Sequence, residues 1–359
     1  MENLFFEIIQ VALGNRNNLS RVPSTEKWMS LNALSVKQTV AGVCFCGVQR
    51  LPKEQLVHLP KQLMMQWFAL AEQIRQRNFL LNERAKELTE KFAERGFRSC
   101  VLKGQSMVRL YSYSDSGKLG LYRQSGDIDV WLWKEGWSLK ENRKEVVRFA
   151  RSIQPNATET DLHIAVEWKG TDVELHYKPS YFFNPIANRR FSKWCSEYDK
   201  GKFRITDNGF SVPDSEFNRV FLLSHAYRHY VREGIGLRQL MDYYFLLRNH
   251  DLNVDHDSDW MIKELGMARF EKAMKWVIGY VFEGKDVDEG RKCGKILLAH
   301  IMDGGNFGKH KTTTIASRHT HIGRFINQLT HDIRLMRYYP SEAIWAPLSM
   351  IREFFRIRI

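Results

Sequence analysis

Residues 126–133 of this chain read Gly-Asp-Ile-Asp-Val-Trp-Leu-Trp, so two aspartates stand one apolar residue apart at the start of an apolar run. In a β-strand, alternate side chains point to the same face. Asp127 and Asp129 are therefore expected side by side, with the intervening apolar residues in a core. Two carboxylates on one face repel each other unless a cation lies between them. The pattern predicts a divalent-metal site, and hard oxygen ligands favour Mg²⁺ or Mn²⁺. Further along the strand, Trp131 and Trp133 are expected in the core and not as a platform for stacked bases.

The composition is that of a globular chain with a large positive charge. Its 359 residues carry a formal net charge of +13, which predicts affinity for anions such as nucleotide phosphates, nucleic acid or an anionic lipid surface. The five cysteines contain no C-x-x-C spacing, which argues against a disulfide framework and a zinc knuckle. The amino terminus lacks a basic signal segment, and the apolar runs are far shorter than the ~20 residues of a membrane span. We expect a cytoplasmic protein without integral membrane association.

Helical periodicity dominates the first hundred residues. Between about residues 60 and 95, apolar side chains recur in steps of three and four with one break at Asn78, which predicts a long helix. Segments 5–13 and 35–48 are expected to be shorter helices that cover its apolar seam. We favour an internal packing layer over a coiled-coil surface for a partner.

The middle of the chain is the part that predicts a sheet. Strands are expected at 98–102, at the aspartate pair, and at 162–168 and 171–177, with the tight Lys169-Gly170 turn joining the last two in a hairpin. Beyond a short connection the pattern becomes helical again. The expected fold class is α+β, a small mixed sheet domain flanked by helical regions. The expected division of the chain is a helical layer at 1–96, a sheet domain at 97–205 and a helical domain at 206–359.

The second strand of the hairpin supplies candidates for a third metal ligand. Asp172, Glu174 and His176 alternate and so share one face, and a neighbouring strand could present Glu174 to the cation held by the aspartate pair. Asp172 competes for that role. His176 could orient a phosphate or a carboxylate, or be a packed histidine. A site with three carboxylates can hold metal ions that orient a nucleoside triphosphate and neutralise charge on its phosphates.

A polar turn upstream of the aspartates could hold an anion. Lys103-Gly104-Gln105-Ser106 lies between an expected strand and an expected helix, where backbone N–H groups bind anions. Lys103 and Arg123 are candidates for contact with phosphate, to which arginine is suited by its bidentate geometry. Either could instead pair with the carboxylates of the site.

Together these motifs resemble the polymerase-beta-like nucleotidyltransferase superfamily, and within it an uncharacterised bacterial group labelled nucleotidyltransferase family 5. The resemblance implies that Asp127 and Asp129 bind the catalytic metal ions together with Glu174, and that Gly104 and Ser106 hold the triphosphate. The segments that carry the resemblance are 102–104, 123–129, 174–176 and 225–242.

The activity implied by the resemblance is metal-dependent transfer of a nucleoside monophosphate from a nucleoside triphosphate to a hydroxyl, with release of pyrophosphate. A small-molecule acceptor is favoured over RNA or a protein side chain. The alternative is a non-catalytic nucleotide- or RNA-binding module on the same fold. Contacts with the nucleotide are expected from Lys103, Gly104, Ser106, Arg123, Gly126 and His176.

Two pairs of residues in the later helices have simpler interpretations. His225 and His229 have the spacing of a zinc site, but the arginines beside them favour structural or substrate-contacting roles. Arg238 and Asp242 are expected to form an ion pair within one helix.

The last part of the chain is basic. Residues 306–359 contain nine Lys or Arg against three Asp or Glu. This region could follow a nucleic-acid backbone. We favour a helix that docks through Ile351, Phe354 and Phe355 while its arginines stay in water.

Overall fold

The computed structural model describes residues 2–113, 119–248, 256–308 and 321–349. It confirms the α+β class, because a five-stranded mixed sheet is combined with helices that precede and follow it in the chain. The docking segment expected at the carboxyl-terminal end, residues 351–359, lies outside the described residues.

Helices dominate the described ranges. They are α1 (Glu2–Ala12), α2 (Thr25–Lys37), α3 (Ala41–Arg50), α4 (Lys61–Glu94), α5 (Gln105–Val108), α6 (Leu139–Ile153), α7 (Pro185–Glu197), α8 (Ser215–Arg232), α9 (Leu237–Leu247), α10 (His256–Glu264), α11 (Ala268–Phe282), α12 (Arg291–Gly304), α13 (His321–Met336) and α14 (Pro340–Ala343). The strands are β1 (Arg98–Val101), β2 (Ile128–Trp133), β3 (Thr158–Glu159), β4 (His163–Trp168), β5 (Thr171–His176), β6 (Arg204–Ile205) and β7 (Ser211–Val212). Within these ranges, no helix combines the length and the apolar character needed to cross a membrane.

The long helix α4 matches the prediction for residues 60–95 and explains its single polar break. Its apolar seam is buried, and the helix ends before Gly96, which has a φ of +71°. Asn78 is also buried, and its Nδ2 donates to the carbonyl oxygens of Leu121 and Arg123, both at 2.7 Å. Asn78 therefore connects α4 to the loop that leads into β2.

The helix predicted at 35–48 is wrong, because the chain forms α2 and α3 with a break between them. At the break Thr39 has a φ of +55°, which a β-branched residue rarely adopts. The Gln38 side chain causes the departure from the local pattern. It is buried, donates to the Ile301 carbonyl at 2.8 Å and accepts from the Leu237 N–H at 3.2 Å.

The main sheet has the strand order β1-β2-β5-β4-β3. Strands β2 and β5 are parallel, whereas the other neighbours are antiparallel. The strands predicted at 98–102, 162–168 and 171–177 are confirmed to within one residue at each end. The two-residue β3 and the separate two-stranded sheet of β6 and β7 were not expected.

The two faces of β2 enter two different clusters of buried residues. Ile128, Val130 and Leu132 pack with residues of α4 and α6 on one face, as the alternation predicts. Trp131 is buried on the other face, in a cluster that includes residues of α1, α8 and α11, so it is a core residue as expected. Trp133 is partly buried against the same cluster. Because this cluster joins residues from all three expected regions, the boundaries at 96 and 205 stay predictions.

Helix α9 brings Asp242, which is distant in sequence, to the loop before β2. Helix α9 contains both Arg238 and Asp242, but the predicted ion pair between them is wrong. Asp242 instead pairs with Arg123, whose Nη2 lies 2.6 Å from its Oδ2. Arg238 turns away and donates to the Gln124 carbonyl at 2.5 Å.

Candidate functional site

The three carboxylates predicted to bind metal come together beside the β2–β5 pair. Because these strands are parallel and in register, Asp129 lies opposite Glu174. Asp127 immediately precedes β2. One carboxylate oxygen from each of Asp127, Asp129 and Glu174 lies within 4.8 Å of the other two. Asp172, the competing candidate, is exposed, lies opposite Glu167 and falls outside this group.

Asp129 is the most buried member of the group, with 1 % of its surface exposed. Its Oδ1 lies 3.0 Å from Lys103 Nζ and 3.0 Å from His176 Nε2. Its Oδ2 is buried and has no hydrogen-bond partner among the described residues. Leaving a buried acceptor unsatisfied costs on the order of 1–3 kcal/mol. A divalent cation between the three carboxylates would satisfy this atom, so the residues present fit a metal ion.

The surroundings keep the site charged. Burial opposes ionisation of Glu174, but the hydrogen bond from His176 and the nearby positive charges lower its pKa to about 2. Burial also opposes protonation of His176, yet its hydrogen bonds to Asp129 and Glu174 raise its pKa above the usual value. For Lys103, burial is likewise outweighed by the three carboxylates, which raise its pKa. The histidine therefore orients carboxylates, one of the roles expected for it, and Lys103 pairs with a carboxylate of the site.

The polar turn places its glycine and its serine differently. Gly104 lines the cleft in front of the carboxylates and has a φ of +60°, a conformation that favours glycine. Ser106 is 1 % exposed, and its Oγ donates to the Leu102 carbonyl at 3.0 Å. The Ser106 hydroxyl thus faces the backbone and does not line the cleft, in contrast to the expected contact with phosphate.

Arg123, which was expected to contact a phosphate, pairs with the carboxylate of Asp242. Its Nε and Nη2 donate to the two carboxylate oxygens of Asp242, both at 2.6 Å, and its Nη1 donates to Ser125 Oγ at 3.0 Å. The Tyr111 hydroxyl donates to the same carboxylate at 2.7 Å. The pair fixes the loop before β2 to α9, and a phosphate contact of Arg123 stays a prediction. Gly126 follows in this loop and lines the cleft.

The carboxylates line a cleft of about 880 Å³ that also contains two arginines not singled out for phosphate contact. Arg77 extends from α4, with Nη2 3.4 Å from the Gly126 carbonyl. Arg238 has a buried Nε without a partner among the described residues. Burial and the charge of Arg123 lower the pKa of Arg238 to about 10. A buried guanidinium with an unused N–H is suited to an anion.

Part of the lining of the cleft comes from remote parts of the chain. Thr39 and Phe307 both line it, and both are non-glycine residues with positive φ, +55° and +53°. Strained backbone of this kind is concentrated at functional sites. Neither residue carries a sequence signal, because each is brought to the cleft by tertiary contacts.

The helical histidine pair contributes one residue to the cleft. His225 lines the cleft, and burial together with the Lys103 charge lowers its pKa, so its ring is neutral. His229 has Nδ1 3.2 Å from Glu233 Oε2 and packs against Phe307. Among the described residues, neither histidine belongs to a group that could hold a metal ion, which agrees with the structural or substrate-contacting interpretation.

Comparison with known proteins identifies the family of this chain. Neither a curated protein nor a solved structure matches the chain. The model of a family described as "Uncharacterised nucleotidyltransferase" matches residues 24–283, a range that contains α2 to α11, the whole sheet and all three carboxylates. The chain therefore belongs to this nucleotidyltransferase family.

Proposed function

We propose that this protein transfers a nucleoside monophosphate from a nucleoside triphosphate to a hydroxyl of an acceptor, with a divalent metal ion and with release of pyrophosphate. The observation that carries the proposal is the convergence of Asp127, Asp129 and Glu174 within 4.8 Å beside an open cleft. Membership of the nucleotidyltransferase family supports the same class of reaction.

The metal ion would be Mg²⁺, with Mn²⁺ able to replace it, held by Asp127, Asp129 and Glu174. When bound, it would supply a positive charge that orients the triphosphate and neutralises the charge developing on its α-phosphoryl group. The protein's part is to orient the carboxylates. His176 Nε2 does so from 3.0 Å to Asp129 and 3.2 Å to Glu174.

The triphosphate would be held by the cations of the cleft. Lys103 is 20 % exposed and pairs with Asp129, so a metal ion that competes for this carboxylate would leave the ammonium to a phosphate. Arg238 offers its unpartnered Nε, and Arg77 is on the exposed side of the cleft. The backbone at Gly104 can approach a phosphate closely because no side chain intervenes.

A small-molecule acceptor suits the size of the cleft. Its volume of about 880 Å³ falls in the range of ligand sites, roughly 300–1,000 Å³. The lining of the cleft also offers a neutral His225 and the amide of Asn306 as hydrogen-bonding groups for an acceptor hydroxyl.

The test is incubation of the protein with each α-labelled triphosphate, Mg²⁺ or Mn²⁺ and fractionated cell extract. Metal-dependent movement of label to a small-molecule fraction is expected, and it should be lost in Asp127→Asn but kept in Asp207→Asn, an exposed carboxylate of the β6–β7 turn. Label in an RNA or protein fraction would replace the small-molecule acceptor. Triphosphate binding without transfer to any fraction would contradict the enzyme and support a non-catalytic nucleotide-binding module.

A further inference from the structure

A second group of possible metal ligands lies beside the three carboxylates. Strands β4 and β5 are antiparallel with His163 opposite His176, and the two imidazole rings have centroids 5.0 Å apart. Glu174 lies two residues before His176 on the same face. Its Oε2 is 3.2 Å from His163 Nδ1 and 3.2 Å from His176 Nε2. One ligand atom from each of the three side chains lies within 4.8 Å of the others.

These separations are those of ligands around one ion. Nitrogen and oxygen ligands bind Zn²⁺ at about 2.0–2.2 Å, which places neighbouring ligand atoms about 3.0–3.5 Å apart in tetrahedral or octahedral geometry. Both nitrogen–oxygen distances to Glu174 fall in this interval. Only small movements of the three side chains would be needed to bind an ion.

Hydrogen bonds do not account for the whole arrangement. His163 Nδ1 is buried and makes no hydrogen bond to a described residue, although it is 3.2 Å from Glu174 Oε2, because the two groups are not aligned for one. A ring nitrogen and a carboxylate oxygen that lie 3.2 Å apart without a hydrogen bond between them are arranged to share a cation.

We propose that His163, Glu174 and His176 form a second cation site that takes a borderline divalent metal ion such as Zn²⁺. Two imidazoles and one carboxylate select such an ion, whereas the oxygen-only group of Asp127, Asp129 and Glu174 suits Mg²⁺. Because Glu174 belongs to both groups, an ion held by the histidines fixes the orientation of a carboxylate of the Mg²⁺ site.

The test uses Co²⁺ as a probe for Zn²⁺, with the whole chain and no nucleotide. Co²⁺ bound by imidazole gives visible absorption that added Zn²⁺ should remove. His163→Gln and His176→Gln should each weaken Co²⁺ binding by at least about tenfold, the lower bound for losing even an outer-sphere partner of a metal. Asp127→Asn, which removes a ligand of the oxygen-only group alone, should leave the affinity within a factor of about two of the wild type. His58→Gln, an exposed histidine far along the chain, is the matched control.

X-ray absorption of the wild-type protein with one equivalent of Zn²⁺ gives a measurement that does not depend on the folding of variants. Two imidazole ligands are expected, and fewer than two would overturn the proposal. Equal loss of Co²⁺ binding in Asp127→Asn and His163→Gln would also overturn it. Failure here leaves Mg²⁺-dependent nucleotidyl transfer untouched, while absent transfer with histidine-bound Co²⁺ would refute only the proposed function.

Discussion

The helical region around α8 and the cleft beside β2 both bury charged side chains. The two regions differ in whether every buried polar atom of these side chains has a hydrogen-bond partner. In the helical region Arg219 donates to Glu271 at 2.9 and 3.2 Å, to Ser258 at 2.9 Å and to Asp259 at 2.5 Å. Glu271 also accepts from the Tyr243 hydroxyl at 2.6 Å. We call this network closed, because no buried side-chain nitrogen or oxygen atom of Arg219 or Glu271 lacks a hydrogen-bond partner.

In the cleft, by contrast, some buried atoms of charged side chains have no partner among the described residues. Asp129 has one satisfied and one unsatisfied carboxylate oxygen, and Arg238 has an unpartnered Nε. Both atoms line or adjoin the same volume of about 880 Å³. The difference is that the buried charges around Arg219 have internal partners, whereas the cleft leaves a buried oxygen and a buried nitrogen without a partner among the described residues.

The largest effect is expected from Asp129→Asn. Loss of a metal ligand should lower turnover by at least about 10³-fold, which corresponds to ~4 kcal/mol of transition-state stabilisation. The melting temperature should fall, because Lys103 and His176 lose the charge of the carboxylate with which both pair. Initial rates and thermal denaturation measure both, with Asp207→Asn as control. Turnover near that of the wild type would show that the open carboxylate is not used in the reaction.

Arg219→Met should have the largest effect on stability. It leaves the Glu271 carboxylate buried without its main partner, which costs about 3–5 kcal/mol of unfolding free energy. Denaturant titration measures the loss. Lys275→Met removes an exposed partner of the same carboxylate, 3.1 Å away, and should cost only about 0–1 kcal/mol. Equal losses in the two variants would contradict the closed-network interpretation.

Glu342 provides an intermediate case, a buried carboxylate that accepts from the backbone N–H groups of Phe183 and Asn184. Burial raises its pKa to about 7. Because the folded pKa exceeds the unfolded one, the contribution of this group to stability is complete below the unfolded pKa and is lost as the pH rises through 7. The loss amounts to at most about 3 kcal/mol. Denaturant titrations between pH 4.5 and 7.5 should give a shallower pH dependence for Glu342→Gln, and identical slopes would refute the assignment.

The smallest effect is stabilisation by the metal itself. An ion that binds only the folded protein adds about 2.7 kcal/mol to the unfolding free energy at one hundred times its dissociation constant. Mg²⁺ should therefore raise the melting temperature of the wild type and not that of Asp129→Asn. Arg219→Met should keep the Mg²⁺ response if enough of it folds at low temperature. An equal Mg²⁺ shift in wild type and Asp129→Asn would place the ion elsewhere.

Local patterns predicted most of the fold, and long-range contacts account for the rest. Periodicity found α4, and alternation with a tight turn found the β4–β5 hairpin, because these signals come from neighbouring residues. The break between α2 and α3 depends on Gln38 and a carbonyl at Ile301, which no local pattern contains. The two-residue β3 is too short to carry a period.

The candidate site likewise combines residues that local patterns predicted with contacts that such patterns could not predict. Alternation placed Asp127 and Asp129 on one face and made Glu174 a candidate for the third ligand, and the resemblance to a family implied the same residue. The pairing of Arg123 with Asp242 could not be read from spacing, because the residues are 119 positions apart and a local partner for Asp242 was available at Arg238. His163 was missed since its role depends on the register of β4 against β5.

The amide of Asn78 has a consequence for how this cleft can change. It contacts the loop before β2 by donating hydrogen bonds to two main-chain carbonyl oxygens, those of Leu121 and Arg123. Because these acceptors belong to the backbone, the contact does not depend on the side chains at those two positions. The Gln124 side chain, which lines the cleft, can therefore be exchanged without loss of this contact between α4 and the loop.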